Sequence, residues 1–412
     1  MILAVSTPRY ARRTHRQAKN TALLQAAYQG EPMARYLILH VSVGSGHRSA
    51  ANALADALER LPDSEVRVED ALDYASPIFS TAYARAYLEL SQRAPVVWQM
   101  FYESSDNTDP DWAPIRDQLR ALMAELAVTK LKDMIRQYAP AAIICTHFLP
   151  AELMMRLKLE GGLRVPTYTV ITDHAVHSQW ITPGVDGYFV ASEFPRKLMI
   201  DRGVAPGIVY VTGIPVNPEV ARPKDQAALR DQYGLPAGGP VLTLFGGGLA
   251  TKRVRRMVEG LLGIGQPGIL AVVAGRNAEL PSALAGMGDG PQMRLRVLSQ
   301  INYVDDLVAA SDLVLTKAGG LIVSEVLARG TPLVVIDPIP GQEEWNADYL
   351  VSCGAGLQLR VLEWVPWTVE QLLADTTRLA ALRERAAAAG RPHAAREIAE
   401  HVERELRSGV HR

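Results

Sequence analysis

Short apolar runs alternate with helix-period segments twice along this chain. In the first half the runs fall at 36–43, 66–70, 141–146, 166–172, 187–191 and 208–212. In the second half they fall at 241–245, 270–274, 296–298, 313–316 and 333–336. Runs of this length, separated by helical stretches, predict βαβ units and parallel sheets. Between the two series lies GIPVNPEVARP, ending at Pro223, whose proline density predicts an interdomain hinge. The expected divisions are a first domain over 33–213, a hinge over 214–223, a second domain over 224–376 and a helical Ala/Arg/Glu-rich segment over 377–412. Residues 1–32 read as a disordered leader or an over-long start. The fold class is α/β, with two Rossmann-like domains facing across a cleft. Ligands then bind at the carboxyl ends of the strands, within reach of both domains.

Composition narrows the function classes. A formal net charge of -1 offers no global field for nucleic acid, and none is expected as a partner. The two cysteines, Cys145 and Cys353, form neither a CxxC pair nor a disulfide framework, which fits a reducing, cytoplasmic compartment. Arg9, Arg12, Arg13, Arg16 and Lys19 crowd the leader without the apolar block of a signal peptide. No apolar run is long enough for a membrane-spanning helix.

The first candidate site follows Val43 in the sequence GSGHRSAANALADAL. Ala51, Leu54, Leu58 and Leu61 mark one helical stripe. Gly44 and Gly46, with Ser45 between them, let a ligand approach the helix N-terminus, where free N–H groups favour oxyanions. The segment is also half of a dinucleotide fingerprint, with Ser49 at the third glycine and Glu69 or Asp70 as the ribose acid. His47 at the mouth of such a turn is a candidate base, or else a capping or hydrogen-bonded histidine at a helix start.

The second candidate site lies in SDLVLTKAGGLIVSEVLARGTPLVVIDPIPGQEEWNADYL. A strand ends at Thr316, Lys317 follows, Gly319 and Gly320 make a tight turn, and a helix begins. Glu325 on its first turns can accept both hydroxyls of a ribose. In the loop after the next strand, Gln342, Glu343 and Asn346 can reach sugar hydroxyls. Such groups specify a sugar because an unmatched hydroxyl leaves a buried polar group unpaired.

With these motifs the chain resembles the monogalactosyl- and processive diacylglycerol glucosyltransferases. It is more distantly similar to the peptidoglycan N-acetylglucosaminyltransferase that acts on lipid-linked muropeptide. The resemblance spans roughly 36–360, through GSGHRSAANAL, TDHAVHSQWITPGVDGYFVASE, FGGG and the KAGG…SE…PIPGQEEWNA block. It implies a GT-B fold, a UDP-sugar donor, inversion at the anomeric carbon, no cofactor beyond the donor substrate and no obligatory metal. The first domain then binds the acceptor, with His47 as base and Gly44, Ser45 and Gly46 as its loop. The second domain binds the donor. Gly246, Gly247 and Gly248 cradle the diphosphate, Tyr303 and Val304 border the uracil, and Glu325 holds the ribose. Lys317, Gly319, Gly320 and Asn346 belong to the same donor block, and Gln342 and Glu343 contact the hexose. The chain departs from the family pattern at three positions. Ser42 stands where some relatives carry an acid, Asn217 where many carry a base, and Ile322 where threonine is frequent.

Asp173, His174 and His177 in TDHAVHSQW read as a cleft-lining loop, a metal site or core histidines. As a cleft loop it puts Asp173 and His177 on the acceptor side, with Trp180 as part of the acceptor wall. Asp305 and Asp306 read as a helix start rather than a metal clamp. Phe79, Tyr83, Tyr87, Trp98, Phe101 and Tyr102, interleaved with Arg85 and Arg93, suit a membrane interface or a helical core stripe. The expected partners are a UDP-hexose, a lipid acceptor and the inner membrane face as a peripheral surface. A UDP-sugar epimerase, a UDP-GlcNAc transferase acting on another lipid and a non-catalytic UDP-sugar sensor are the competing readings.

Overall fold

The computed structural model describes residues 33–76, 80, 94–106 and 128–409. The first sheet contains β1 (Ala34–His40), β2 (Ser64–Asp70), β3 (Ala142–Cys145), β4 (Thr167–Val170), β5 (Gly187–Val190) and β6 (Val209–Val211). Its order is β2-β1-β3-β4-β5-β6, every pair parallel. Its helices are α1 (Gly46–Leu58), α2 (Pro95–Ser105), α3 (Val128–Tyr138), α4 (Phe148–Leu159) and α5 (Glu193–Asp201). Strand alternation explains the two-sided burial. Tyr36 and Ile38 pack with Ala51 and Leu54 of α1. Leu37 and Leu39 pack on the other face with Leu131 of α3 and Met154 of α4.

The second sheet contains β7 (Val241–Phe245), β8 (Gly268–Val273), β9 (Met293–Leu298), β10 (Leu313–Thr316), β11 (Leu333–Ile336) and β12 (Gly356–Leu359). Its order is β12-β11-β10-β7-β8-β9, again parallel throughout. Its helices are α6 (Gln226–Gln232), α7 (Thr251–Leu262), α8 (Glu279–Leu284), α9 (Val304–Ala310), α10 (Gly320–Ala328), α11 (Gln342–Ser352), α12 (Trp364–Ala374) and α13 (Thr376–Ala389). Leu242, Leu244, Val272 and Leu315 face α7 and α12, where Met257, Leu261 and Val365 meet them. Val314, Leu333 and Val335 face α10 and α11 on the other side.

All eleven expected strands form. The run expected over 36–43 leaves the sheet after His40, and Val41 and Val43 are buried with Ala71, Leu72 and Leu149 instead. β12 went unanticipated because GLQL is a short edge strand that is only partly buried.

The segment expected to be helical over 377–412 is two helices with different partners. Leu382 and Ala386 of α13 pack with the second sheet. The final helix, α14 (Ala394–Ser408), returns to the first sheet, where Ala395, Ile398, Ala399 and Val402 join Tyr36 and Leu54. Gly390 separates the two helices, and a Cβ there would stand 2.3 Å from the Leu327 carbonyl. The proline-rich stretch holds a 3₁₀ turn, Pro218–Ala221, with the Asn217 side chain accepting from Glu219 N–H at 2.9 Å. Arg329 donates to the carbonyls of Glu219 and Arg222 and forks onto Asp305. Lys224 pairs with both Asp305 and Asp306. The two acids therefore open α9, as expected, and also anchor the stretch to the second domain.

Candidate active site

The turn between β1 and α1 places His47. Gly44 has φ +147°, a conformation that suits glycine. The half-buried His47 ring lies edge-on to His147, with centroids 4.6 Å apart, and 6.2 Å from Trp180. Its Nδ1 is 3.0 Å from the Thr146 carbonyl and 2.8 Å from Thr172 Oγ1. A carbonyl can only accept, so Nδ1 carries the proton and Nε2 keeps its lone pair. Nε2 has no hydrogen-bond partner among the described residues. Thr146 Oγ1 donates back to the His47 carbonyl at 2.9 Å, fixing the residue from both sides. Burial pulls the His47 pKa down to about 4, so the ring is neutral at physiological pH. With Ser42 in place of an acid, a backbone carbonyl orients the imidazole.

Both candidate ribose acids of the dinucleotide reading are committed elsewhere. Glu69 pairs with Arg67 and accepts from Tyr74. Asp70 accepts from Ser42 N–H at 3.1 Å and Leu72 N–H at 2.9 Å.

Two acceptor-side expectations are corrected. Trp180 is 3% exposed and packs with Ile171, Tyr188 and Met199, so it backs the histidines rather than forming an open wall. His177 is 2% exposed and has both ring nitrogens engaged. Its Nδ1 accepts from Gln179 N–H at 3.1 Å and its Nε2 lies 2.9 Å from the Tyr102 carbonyl. It supports a turn and has no nitrogen left for substrate. Asp173 reaches across to the second domain, where its carboxylate accepts from Gln342 at 2.9 and 3.1 Å and from Asn346 at 3.1 Å. Burial raises its pKa to about 6, against the pull of those amides.

In the second domain, Gly246, Gly247 and Gly248 follow β7. A Cβ on Gly247 would stand 2.5 Å from the Ala274 carbonyl, so the loop lies flat on the end of β8. Gly248 is next to the Lys317 side chain, whose Cδ would stand 3.3 Å from a Cβ there. At the start of α10, a Cβ on Gly320 would stand 2.1 Å from the Thr172 carbonyl. The same close approach puts Leu321 Cβ 3.8 Å from the Cβ position of Gly46. The amino ends of α1 and α10 thus meet across the cleft, and both present unpaired N–H groups.

Glu325 follows on α10. Its partly exposed carboxylate has no hydrogen-bond partner among the described residues. Burial, reinforced by Asp305, raises its pKa to about 7. Such a group lacks the donors that two vicinal hydroxyls would supply. Ser324 beside it is committed to the Gly320 carbonyl at 2.8 Å and His174 Nε2 at 3.2 Å. Tyr303 precedes α9 and stacks on Tyr233 at 4.5 Å, and Val304 opens the helix. Glu343 accepts from Ile339 N–H at 2.7 Å and lies 3.4 Å from Lys317 Nζ, while burial raises its pKa.

Asn346 is corrected from sugar contact to positioning residue. It is 1% exposed and fully used: it donates to Asp173 and to the Ala318 carbonyl, and accepts from His174 N–H at 2.7 Å. We expect Asn346→Ala to cost about 1–3 kcal/mol by stranding these groups. That is roughly 2–4 °C in melting midpoint per kcal/mol, readable by calorimetry. An unchanged midpoint would mean the bridge contributes nothing.

The side chains of Asp173, His174 and His177 turn to different partners: Gln342 and Asn346, Ser324, and the Tyr102 carbonyl. Among the described residues no group of three or more His, Cys, Asp or Glu is arranged to hold a metal. Sequence reasoning missed Thr146 and Thr172, which hold His47. Their signal is position: each follows the carboxyl end of its strand, where open α/β sheets build sites.

Residues 47–216 match the family profile of monogalactosyldiacylglycerol (MGDG) synthase, and residues 274–403 match the glycosyltransferase family 28 C-terminal domain. The processive diacylglycerol beta-glucosyltransferase of Bacillus pumilus (strain SAFR-032) is 26% identical over 369 residues, covering 89% of this chain and 94% of its own. Among solved structures, Acinetobacter baumannii MurG superposes with a TM-score of 0.61 at 16% identity, covering 90% of this chain and 99% of its own. A putative UDP-N-acetylglucosamine 2-epimerase from Listeria monocytogenes gives 0.57 at 15% identity, covering 92% and 98%. At such identities the structural likeness speaks to fold alone, and that fold is GT-B. The chain belongs to the diacylglycerol glycosyltransferases of glycosyltransferase family 28.

Proposed function

We propose that the protein transfers a hexose from a UDP-sugar to the hydroxyl of diacylglycerol or a related lipid, with inversion at the anomeric carbon. The observation that carries this reading is the neutral His47, with its unpartnered Nε2, set against the amino end of α10. The acceptor hydroxyl gives its proton to Nε2 as its oxygen bonds the sugar C1. The bond from C1 to the diphosphate oxygen breaks, and the electron pair leaves with UDP. Main-chain N–H groups of the glycine loop and of the start of α10, with Lys317, stabilise the departing charge. Glu325 receives the ribose hydroxyls. The anionic donor raises the basicity of a histidine that burial has weakened, which brings it closer to a useful pKa.

The lipid half of the reading rests on the relatives, whose names specify diacylglycerol, and on surface chemistry. Trp98 is buried and Tyr102 packs on Trp345, so these aromatics of the expected interfacial segment face inward. Val96, Val97 and Met100 form the exposed face of α2 instead. Phe79, Tyr83, Tyr87, Arg85 and Arg93 lie outside the described residues. No helix among the described residues is long and apolar enough to cross a membrane. The protein works, in this reading, from the cytoplasmic side as a peripheral enzyme. Epimerases of this architecture are disfavoured by Ser324, which holds His174 where a second acid would be needed.

Binding to the folded state alone raises the melting midpoint by mass action. UDP is therefore expected to raise it more than ADP or GDP at equal concentration, and to do so undiminished in a chelator. Equal shifts with all three nucleotides, or loss of the UDP shift in chelator, would contradict the donor assignment.

A further inference from the structure

α12 is two-faced. Val365, Val369 and Leu372 are buried in the second domain, whereas Trp364 and Trp367 are 62% and 66% exposed. The spacing of three places both indoles on one side of the helix, and the exposed Val361 precedes them. Two large apolar rings left in water on one helical face call for a partner.

The neighbouring helix supplies charge. α7 opens with TKRVRR, whose Lys252, Arg253, Arg255 and Arg256 are all exposed, in a chain of net charge -1. Arg253, Arg255 and Arg256 each lean on one carboxylate, Asp337, Glu259 and Glu363. Their remaining N–H groups, and the ammonium of Lys252, are available to anions. The two helices form one surface. Gly260 of α7 is so close to Pro366 that a Cβ would stand 2.5 Å from its ring, and Arg256 bonds Glu363 at the start of α12. That surface has a defined place. α7 follows β7 and α12 follows β12, and the strands are parallel, so both helices begin at the carboxyl edge of the sheet. The glycine loop and the start of α10 lie at the same edge.

We propose that the first turns of α12 and the basic start of α7 form a bilayer-docking face on the donor domain, fitted to anionic phospholipid headgroups. Indole rings settle at the headgroup boundary, and cations beside them add attraction to anionic lipid. The inference rests on the lipid-acceptor reading, since docking at this edge sets the cleft beside the membrane that holds the acceptor.

Flotation of the full chain with vesicles tests it, using phosphatidylcholine alone and an equimolar mixture with phosphatidylglycerol. The wild type should float with the mixed vesicles, less so as salt rises. Trp364→Ala with Trp367→Ala should lower partitioning about tenfold or more. Arg255→Glu with Arg256→Glu should weaken binding to the mixed vesicles only. The indoles are exposed, so an unchanged melting midpoint will confirm that the tryptophan variant folds. Unchanged partitioning of that variant would overturn the proposal. So would a variant whose self-association changes while its vesicle binding does not, because the face would then join two copies of the chain. Transfer to a short-chain diacylglycerol dispersed in detergent separates the two readings. The tryptophan variant should keep that activity. Its absence in the wild type, with flotation intact, would remove the enzymatic reading and leave the docking face standing.

Discussion

His47→Ala is expected to lower kcat by about 10²–10⁴ while leaving UDP affinity close to that of the wild type. The groups proposed to bind the donor stand in the other domain: the glycine loop, Lys317 and Glu325 keep their surroundings when an imidazole is removed across the cleft. The imidazole proposed as the base has Nε2 free of any partner among the described residues. The Thr146 carbonyl and Thr172 hold Nδ1, and burial keeps the ring uncharged. Its removal therefore acts on the transition state rather than on donor binding. Steady-state kinetics beside a UDP titration of the same variant measure both. Normal UDP binding with near-normal turnover would make His47 a structural residue. His177 could not take over, because both its nitrogens are engaged. Asp173 would be the remaining acid to examine, and it is held by Gln342 and Asn346.

Glu325→Ala should act on the opposite half of the reaction, raising donor KM through the loss of about 1.5–3 kcal/mol of charge-assisted hydrogen bonding. The half-buried carboxylate also has a pH signature. Its pKa is raised from 4.5 to about 7 in the folded protein. The folded state therefore holds a proton that the unfolded chain releases. The resulting stability is fully present below the unfolded pKa and is lost as pH rises through the folded one. Glu325→Gln, which cannot ionise, should melt above the wild type near pH 8 and level with it near pH 4. Ribose hydroxyls donate to the ionised form, so UDP should bind the wild type more tightly as pH rises from about 6 to 8. A donor KM unchanged in the alanine variant, with UDP affinity flat across that range, would place the ribose elsewhere.

Much of this was legible from local pattern. Period and run length located the strands because parallel sheets covered on both faces demand continuous apolar runs, as in Leu37, Ile38 and Leu39. The turns at Gly44 and Gly319 were legible because strand–glycine–helix junctions have few backbone solutions. What escaped depended on contacts distant in sequence. Asn346 reads in the sequence as part of a polar loop; it lies on α11, and only the pairing with Asp173 and His174 makes it a buried bridge. Tyr102 belongs to an amphipathic stretch, but that it turns inward is decided by cover from Gly341 and Trp345, which local periodicity does not contain. The return of α14 to the first sheet is of the same kind: composition predicts a helix and is silent about its partner. Lys317 and Glu343 were assigned to donor and hexose, and the structure adds their contact with each other.

The function proposed for this cleft is transfer of a hexose from UDP onto a lipid hydroxyl. Its most direct test is to incubate the purified protein with UDP-glucose, UDP-galactose and UDP-N-acetylglucosamine, each labelled in the sugar, together with diacylglycerol. The label should then be followed in the organic and aqueous phases. Sugar-labelled lipid and free UDP are expected in equal amounts from at least one donor, with label transfer abolished or nearly so in His47→Ala. Label that stays in the aqueous phase as an epimerised UDP-sugar, with none in lipid, would contradict it.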